Sequence, residues 1–230
     1  MTRLGPEYNY LLHIELMGVS NPHVNRILSV PPLTTFHTLH CAIQVAFNWR
    51  NAHCHRFDVF HGSATCGFAP LPVLTLEPEP EPDDFNATLA EDSKQFMLRD
   101  VFENDNYKNK QIEYLYDFGD NWEHSITLIG RADTSTSSIV CISGEGGHVA
   151  EDCGGAVGWQ ELKKFYAEHG HKEEYECPDP SAHHQLRWYE NICLNGQKCG
   201  LMPGSWNNEA INKEFVATNG LMKRIASAAA

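Results

Sequence analysis

Residues Ile112 to Leu128 constrain this chain more than any other stretch. Ile112, Tyr114, Tyr116 and Phe118 alternate with Glu113, Leu115 and Asp117; then Trp122, His124, Ile126 and Leu128 alternate with Glu123, Ser125 and Thr127. Period-two alternation of aromatic and β-branched residues predicts two strands. Between them Gly119-Asp120-Asn121 supplies turn chemistry, because these residues tolerate positive φ. The expectation is a β-hairpin over residues 111–130, with Asp117, Asp120 and Glu123 near its tip. Such a tip fits an ordinary solvated turn. It also fits a site, because Tyr114, Tyr116, Phe118 and Trp122 would wall the carboxylates into partly dry surroundings, where charge acts more strongly.

The flanking chain reads as intermixed strands and helices. Tyr8 to Met17 and Val24 to Val30 are strand-like, separated by the turn signal Gly18-Val19-Ser20-Asn21-Pro22. Thr34 or Thr35 caps a helix to about Trp49, with Phe36, Leu39, Ile43 and Phe47 on one stripe. Phe57, Val59 and His61 suggest a third strand. Pro70 to Pro82, with Glu77, Glu79 and Glu81 between prolines, predicts an extended, solvated excursion. Asp92 or Ser93 opens a helix to about Glu103, and Ile139 to Ile142 is a short strand. A glycine-rich stretch from Gly144 to Gly155 leads to a helix from Trp159 to about His169. Helices over Ala182–Leu194 and Asn207–Ile225 complete the reading. No βαβ regularity emerges, which points to an α+β fold.

Totals restrict the function classes. The 230 residues are 42% hydrophobic, enough for a sizeable core, and the formal net charge of −13 argues against broad nucleic-acid binding while favouring cationic small molecules. Met1 to Tyr10 has no apolar segment, and no stretch approaches the roughly eighteen apolar residues of a membrane span. No membrane association, a cytoplasmic location and eight free thiols are the expectation.

Histidine and cysteine density invites a metal reading at two places. His53 and His55 point the same way on a strand, but no third ligand is visible near them. Cys141, His148, Asp152 and Cys153 sit in or beside the glycine-rich loop, which fits a tight turn at least as well. No Cys-x-x-Cys pair occurs, so no structural zinc and no other metal or cofactor is expected. Cys153, close to a helix start, is a candidate nucleophile, with an inert buried thiol as the alternative.

Several segments together resemble the plasmid pRiA4b ORF-3-like family. They are Tyr10-Leu11-Leu12-His13-Ile14-Glu15-Leu16, Thr38 to Trp49, His55-Arg56-Phe57, Tyr116-Asp117-Phe118-Gly119-Asp120-Asn121-Trp122-Glu123-His124, and Glu151-Asp152-Cys153-Gly154-Gly155 with Gly158. Val149-Ala150 stand where the family commonly has two prolines, which implies a reshaped loop. The resemblance implies a single domain over 1–230, with a core of about 8–175 and a helical extension of about 182–226. It implies a mixed, curved sheet with helices packed mainly on one side. The chain also looks like a fungal branch that acts as arginine-containing cyclodipeptide synthases. These condense arginine from arginyl-tRNA with a second aminoacyl group, from a second aminoacyl-tRNA, into a diketopiperazine.

Chemistry permits that activity. Asp117, Asp120 and Glu123 offer planar anionic partners for a guanidinium, and Tyr116, Phe118 and Trp122 offer cation–π faces. His124 or a carboxylate is a candidate base for the attacking amine, and Asp152 and Cys153 are candidate substrate contacts. Only 17 Lys and Arg are present for a tRNA partner. Two further classes stay open: a non-catalytic module that recognises a cationic peptide or partner through the acidic hairpin, and a metal-dependent hydrolase using Asp117, Asp120, His124 and His148.

Overall fold

The computed structural model describes residues 8–61, 71–79, 90–133, 136–169 and 180–217. Eight strands form one open sheet: β1 (Asn9–Leu16), β2 (Asn25–Val30), β3 (His55–Phe60), β4 (Pro72–Glu77), β5 (Ala90–Asp92), β6 (Gln111–Tyr116), β7 (Trp122–Ala132) and β8 (Val140–Glu145). Their order is β5-β4-β3-β6-β7-β1-β2-β8. β4 and β5 pair in parallel and every other neighbour is antiparallel, so the sheet is mixed and the fold α+β. The helices are α1 (Phe36–Phe47), α2 (Leu98–Phe102), α3 (Gly155–His169) and α4 (Pro180–Asn191), with α5 over 208–217.

Alternation translates directly into one buried face. Tyr10, Leu12, Ile14 and Leu16 of β1, Phe57 and Val59 of β3, and Ile112, Tyr114 and Tyr116 of β6 are all at most 1% exposed. α1 lies on that face: Phe36 meets Phe57 edge-on at 5.1 Å, and Phe47 meets His124 at 4.9 Å. Thr35 Oγ1 caps α1 by accepting from Thr38 N at 3.2 Å. Asn48 ends it in the left-handed conformation, φ 60, with the amides of Asn48 and Trp49 returning to Val45 and Gln44. Buried Arg26 also satisfies the end of α1, donating from Nε to Ala46 O at 2.9 Å.

The expected hairpin is present, with Tyr116 opposite Trp122 and Tyr114 opposite His124. Its turn differs in detail. The left-handed residues are Asp117 (φ 60) and Asn121 (φ 56), not Gly119. Asp and Asn enter that region because their short side chains bond the local backbone. Here Asp117 Oδ1 accepts from Gly119 N at 2.9 Å.

Three other expectations are corrected. Residues 72–77 are not a solvated excursion: β4 pairs with β3 and buries Leu74, Thr75 and Leu76. Residues 70 and 80–82 of that stretch lie outside the described residues. The helix expected from Asp92 begins only at Leu98, because Asp92 ends β5 and the Asp92 carboxylate accepts from Lys94 N in a turn. Asp100 Oδ2 then accepts from Met97 N at 2.9 Å, fixing the true start. α3 begins at Gly155, a turn earlier than expected. The stretch from His171 to Pro180, charged and loop-like in sequence, lies almost wholly outside the described residues, as do residues 218–225 of the last predicted helix.

Candidate functional site

α1 builds the site from behind. His40 and Gln44 stand one turn apart on its buried face. His40 Nε2 donates to Asn51 Oδ1 at 2.9 Å, and His40 Nδ1 accepts from the Tyr114 hydroxyl at 2.8 Å. Gln44 Nε2 donates to the same hydroxyl at 2.9 Å, and Gln44 Oε1 accepts from Asn51 N at 2.8 Å. Desolvation, with the neighbouring His55 adding to it, pushes the His40 pKa down to about 3. His40 stays neutral, and this network anchors residues 50–53 against the sheet.

A second network joins that segment to the loop after β8. The Tyr116 hydroxyl donates to Glu151 Oε1 at 2.6 Å and accepts from Ala52 N at 3.0 Å. Both oxygens of Glu151, a residue 1% exposed, accept from Arg50 N at 3.1 Å. Burial, then the Glu151 bond, pushes the Tyr116 pKa far above its ordinary value. Asn195, also buried, accepts from Glu151 N and donates to Asn48 O and Val149 O. The loop reaches the hairpin tip itself: Gly154 N donates to Asp120 Oδ2 at 3.1 Å. Gly155 sits so close that a Cβ there would stand 2.3 Å from Asp120 O, at φ +68.

These contacts bring three residues from separate segments onto one mouth. His53 Nε2 lies 2.8 Å from Asp152 Oδ1 and 3.6 Å from Asp117 Oδ2. The Asp117 side chain is only 10% exposed, against 29% for His53 and 43% for Asp152. The 2.8 Å approach is an ion-pair distance without hydrogen-bond geometry, so His53 Nε2 has no hydrogen-bond partner. Asp117 Oδ2 has no hydrogen bond and no other ion pair among the described residues. No Lys or Arg side chain pairs with Asp117, Asp120, Glu151 or Asp152 among the described residues.

Beside the mouth opens a cavity of about 740 Å³ lined by His37, His40, His53, His55, Glu77 and Phe118. His40 and His55 stack at 3.4 Å. Burial lowers the His55 pKa to about 4 and that of His37 below its ordinary value. Nδ1 of His37 and Nε2 of His55 have no hydrogen-bond partner. Burial thus disfavours the charged form of the His37, His40 and His55 rings on the cavity wall.

Of the residues expected to act, Asp117 and Asp152 gather at the mouth, Asp120 binds the Gly154 amide of the loop beside it, and Phe118 borders the cavity. The others go elsewhere. Glu123 is exposed on the opposite face of the sheet, where Asn121 Nδ2 donates to it at 2.8 Å. His124 is fully buried. Its Nδ1 donates to the carbonyls of Trp122 and Tyr114, and desolvation lowers its pKa to about 4, so it is a core residue. Trp122 packs in the core against Trp49 at 5.3 Å, and Tyr116 is structural through Glu151. Burial, then the carboxylate of Asp120, pushes the Cys153 thiol pKa up, the opposite of what a ready thiolate nucleophile needs. His148 pairs with the Tyr189 hydroxyl at 3.2 Å, so the set Asp117, Asp120, His124 and His148 is not assembled. His55 is visible in the local histidine density, but the parts played by His37, His40 and Glu151 depend on tertiary contacts.

Comparison with known proteins gives kinship without chemistry. The chain is 28% identical over 156 residues to the uncharacterized protein y4hQ of Sinorhizobium fredii (strain NBRC 101917 / NGR234), covering 67% of this chain and 72% of that protein. Its fold is similar to the crystal structure of MM3350, a protein of unknown function from Methanosarcina mazei Go1. The TM-score is 0.63 at 24% identity, over 88% of this chain and 97% of the other, a likeness that carries the fold alone. No helix among the described residues is long and apolar enough to cross a membrane. The profile of the plasmid pRiA4b ORF-3-like protein matches residues 8–191, most of the chain, and the chain belongs to that family.

Proposed function

We propose that this protein is an arginine-containing cyclodipeptide synthase. It takes arginine from arginyl-tRNA and a second residue from another aminoacyl-tRNA. The α-amine of one aminoacyl group attacks the ester carbonyl of the other, releasing one tRNA 3′-hydroxyl. The new dipeptidyl ester then closes when its free amine attacks the remaining ester, releasing the second tRNA. Both esters arrive activated, so no ATP site is needed.

One observation carries this reading: the Asp117 and Asp152 carboxylates converge on His53, Asp120 is bonded to Gly154 of the same loop, and no Lys or Arg side chain forms an ion pair with any of the three among the described residues. An uncompensated anionic mouth favours a cation, and a guanidinium matches carboxylate geometry. The adjoining cavity adds Glu77 and the Phe118 ring, which already carries Arg56 at 5.6 Å, and Lys94 also lines it. Arg50, exposed with its guanidinium at Leu194 O, and Arg56, over the Phe118 ring at 5.6 Å, are basic side chains close to this network that could meet a tRNA phosphate. Incubation of the full chain with arginyl-tRNA and a mixture of aminoacyl-tRNAs, followed by mass spectrometry, tests the proposal. A cyclic dipeptide that contains arginine supports it. Its absence with folded protein and intact aminoacyl-tRNAs refutes it and leaves the non-catalytic cation-binding module.

A further inference from the structure

We infer that His53, Asp117 and Asp152 form a binding site for one divalent first-row metal ion. The inference goes beyond the synthase reading and does not depend on it. The ion would compete with a guanidinium for Asp117 and Asp152, so the site is tested on protein free of aminoacyl-tRNA.

The ligand types come first. One imidazole and two carboxylates suit Mn²⁺ or Zn²⁺ better than a soft thiolate-seeking ion. Spacing comes second. Two atoms bound about 2.1 Å from one ion stand roughly 3.0 Å apart at right angles and 3.4 Å apart at the tetrahedral angle. The distances from His53 Nε2, 2.8 Å to Asp152 and 3.6 Å to Asp117, bracket those values. All three ligand atoms lie within 4.8 Å of one another. Asp152 is half exposed and can move to close the set.

The unmet bonding of these atoms is the independent sign. Asp117 is nine-tenths buried, and its backbone and Oδ1 are fully used: its N donates to Cys54 O, its O accepts from Asn121 N, and Oδ1 accepts from Gly119 N. Oδ2 alone is left, and it points at His53. His53 Nε2 is buried and makes no hydrogen bond, although an oxygen lies 2.8 Å away. A simple imidazolium–carboxylate pair would align its N–H on that oxygen. An oxygen that shares an ion with the nitrogen sits beside the ring axis instead, roughly 45° off it for right-angle coordination, where an N–H···O bond fails.

Manganese titration of the full chain, stripped with a chelator, tests the site without any substrate. Free Mn²⁺ is followed by electron paramagnetic resonance. Wild-type protein is expected to take up one Mn²⁺. Asp117→Asn, Asp152→Asn and His53→Ala are each expected to weaken uptake by more than the roughly tenfold to hundredfold that follows removal of a hydrogen-bonding partner behind a metal ligand. Glu123→Gln, on the opposite face, leaves uptake unchanged. Asp152→Asn alters a half-exposed side chain, so it remains informative if a buried variant misfolds. No uptake by folded wild-type protein, or uptake equal in all variants, overturns the inference. Metal uptake without cyclic dipeptide refutes the synthase reading alone, and cyclic dipeptide without metal uptake refutes the metal site alone.

Discussion

Replacing Tyr116 by Phe removes one oxygen and almost no volume, so it isolates the polar coupling behind the mouth. The lost hydroxyl donates to Glu151 Oε1 at 2.6 Å and accepts from Ala52 N at 3.0 Å. A hydrogen bond to a charged group contributes about 1.5–3 kcal/mol and a neutral one about 0.5–1.5 kcal/mol. Glu151 is buried, with both oxygens facing Arg50 N, so little water reaches the vacated position. We expect Tyr116→Phe to lower stability by about 3 kcal/mol, or roughly 6–12 °C in melting temperature for a chain of this size. Guanidinium denaturation followed by tryptophan fluorescence measures it, since Trp49 packs on Tyr116 at 5.4 Å. In a double-mutant cycle with Glu151→Gln, about 1.5 kcal/mol or more should appear as coupling. A loss below about 0.5 kcal/mol, or no coupling, refutes the claim that Tyr116 ties residues 50–53 to the loop.

Acid should destabilise the protein well before its carboxylates titrate. His40, His55 and His124 are buried with pKa values near 3, 4 and 4, below the unfolded value of about 6.5. Their stabilising neutral state is fully present above pH 6.5 and is lost as pH falls toward the folded values, because only the unfolded chain gains protons. Each contributes about 1.4 kcal/mol per pH unit below 6.5, so denaturation at pH 5.5 should show roughly 4 kcal/mol less stability than at pH 7.5. Equal stability at both would show that these rings are not held neutral. Gly155→Ala places a Cβ against Asp120 O at positive φ, so a loss of at least about 1–2 kcal/mol and weakened ligand binding are expected, and an unchanged melting curve contradicts the tight docking of the loop. Asp117→Asn keeps the left-handed turn and the bond to Gly119, so its stability should stay within about 0.5 kcal/mol of wild type.

The hairpin and α1 were legible because period-two and period-3.6 patterns report burial on one face, and β6, β7 and α1 bury their predicted sides. β4 was masked by Pro72 and the following acidic prolines, although Leu74 and Leu76 carried the inward pattern. The same alternation that reveals the hairpin sends Glu123 away from Trp122 and His124, so proximity in sequence overstated its share in the site. His53 and Asp152 are about a hundred residues apart. They meet only through Glu151, Tyr116 and Asn195, and no local pattern encodes that meeting.

Cyclic-dipeptide formation by three proteins compared side by side tests the central claim most directly. Wild type, Asp117→Asn and Glu123→Gln are supplied with the same aminoacyl-tRNAs and their products quantified by mass spectrometry. Loss of one charge partner in a partly buried pair costs roughly 3–5 kcal/mol, more than a hundredfold in affinity. The account predicts arginine-containing product from wild type and Glu123→Gln and none from folded Asp117→Asn. Product from Asp117→Asn at the wild-type rate would contradict it, and the mouth formed by His53, Asp117 and Asp152 would not be the site.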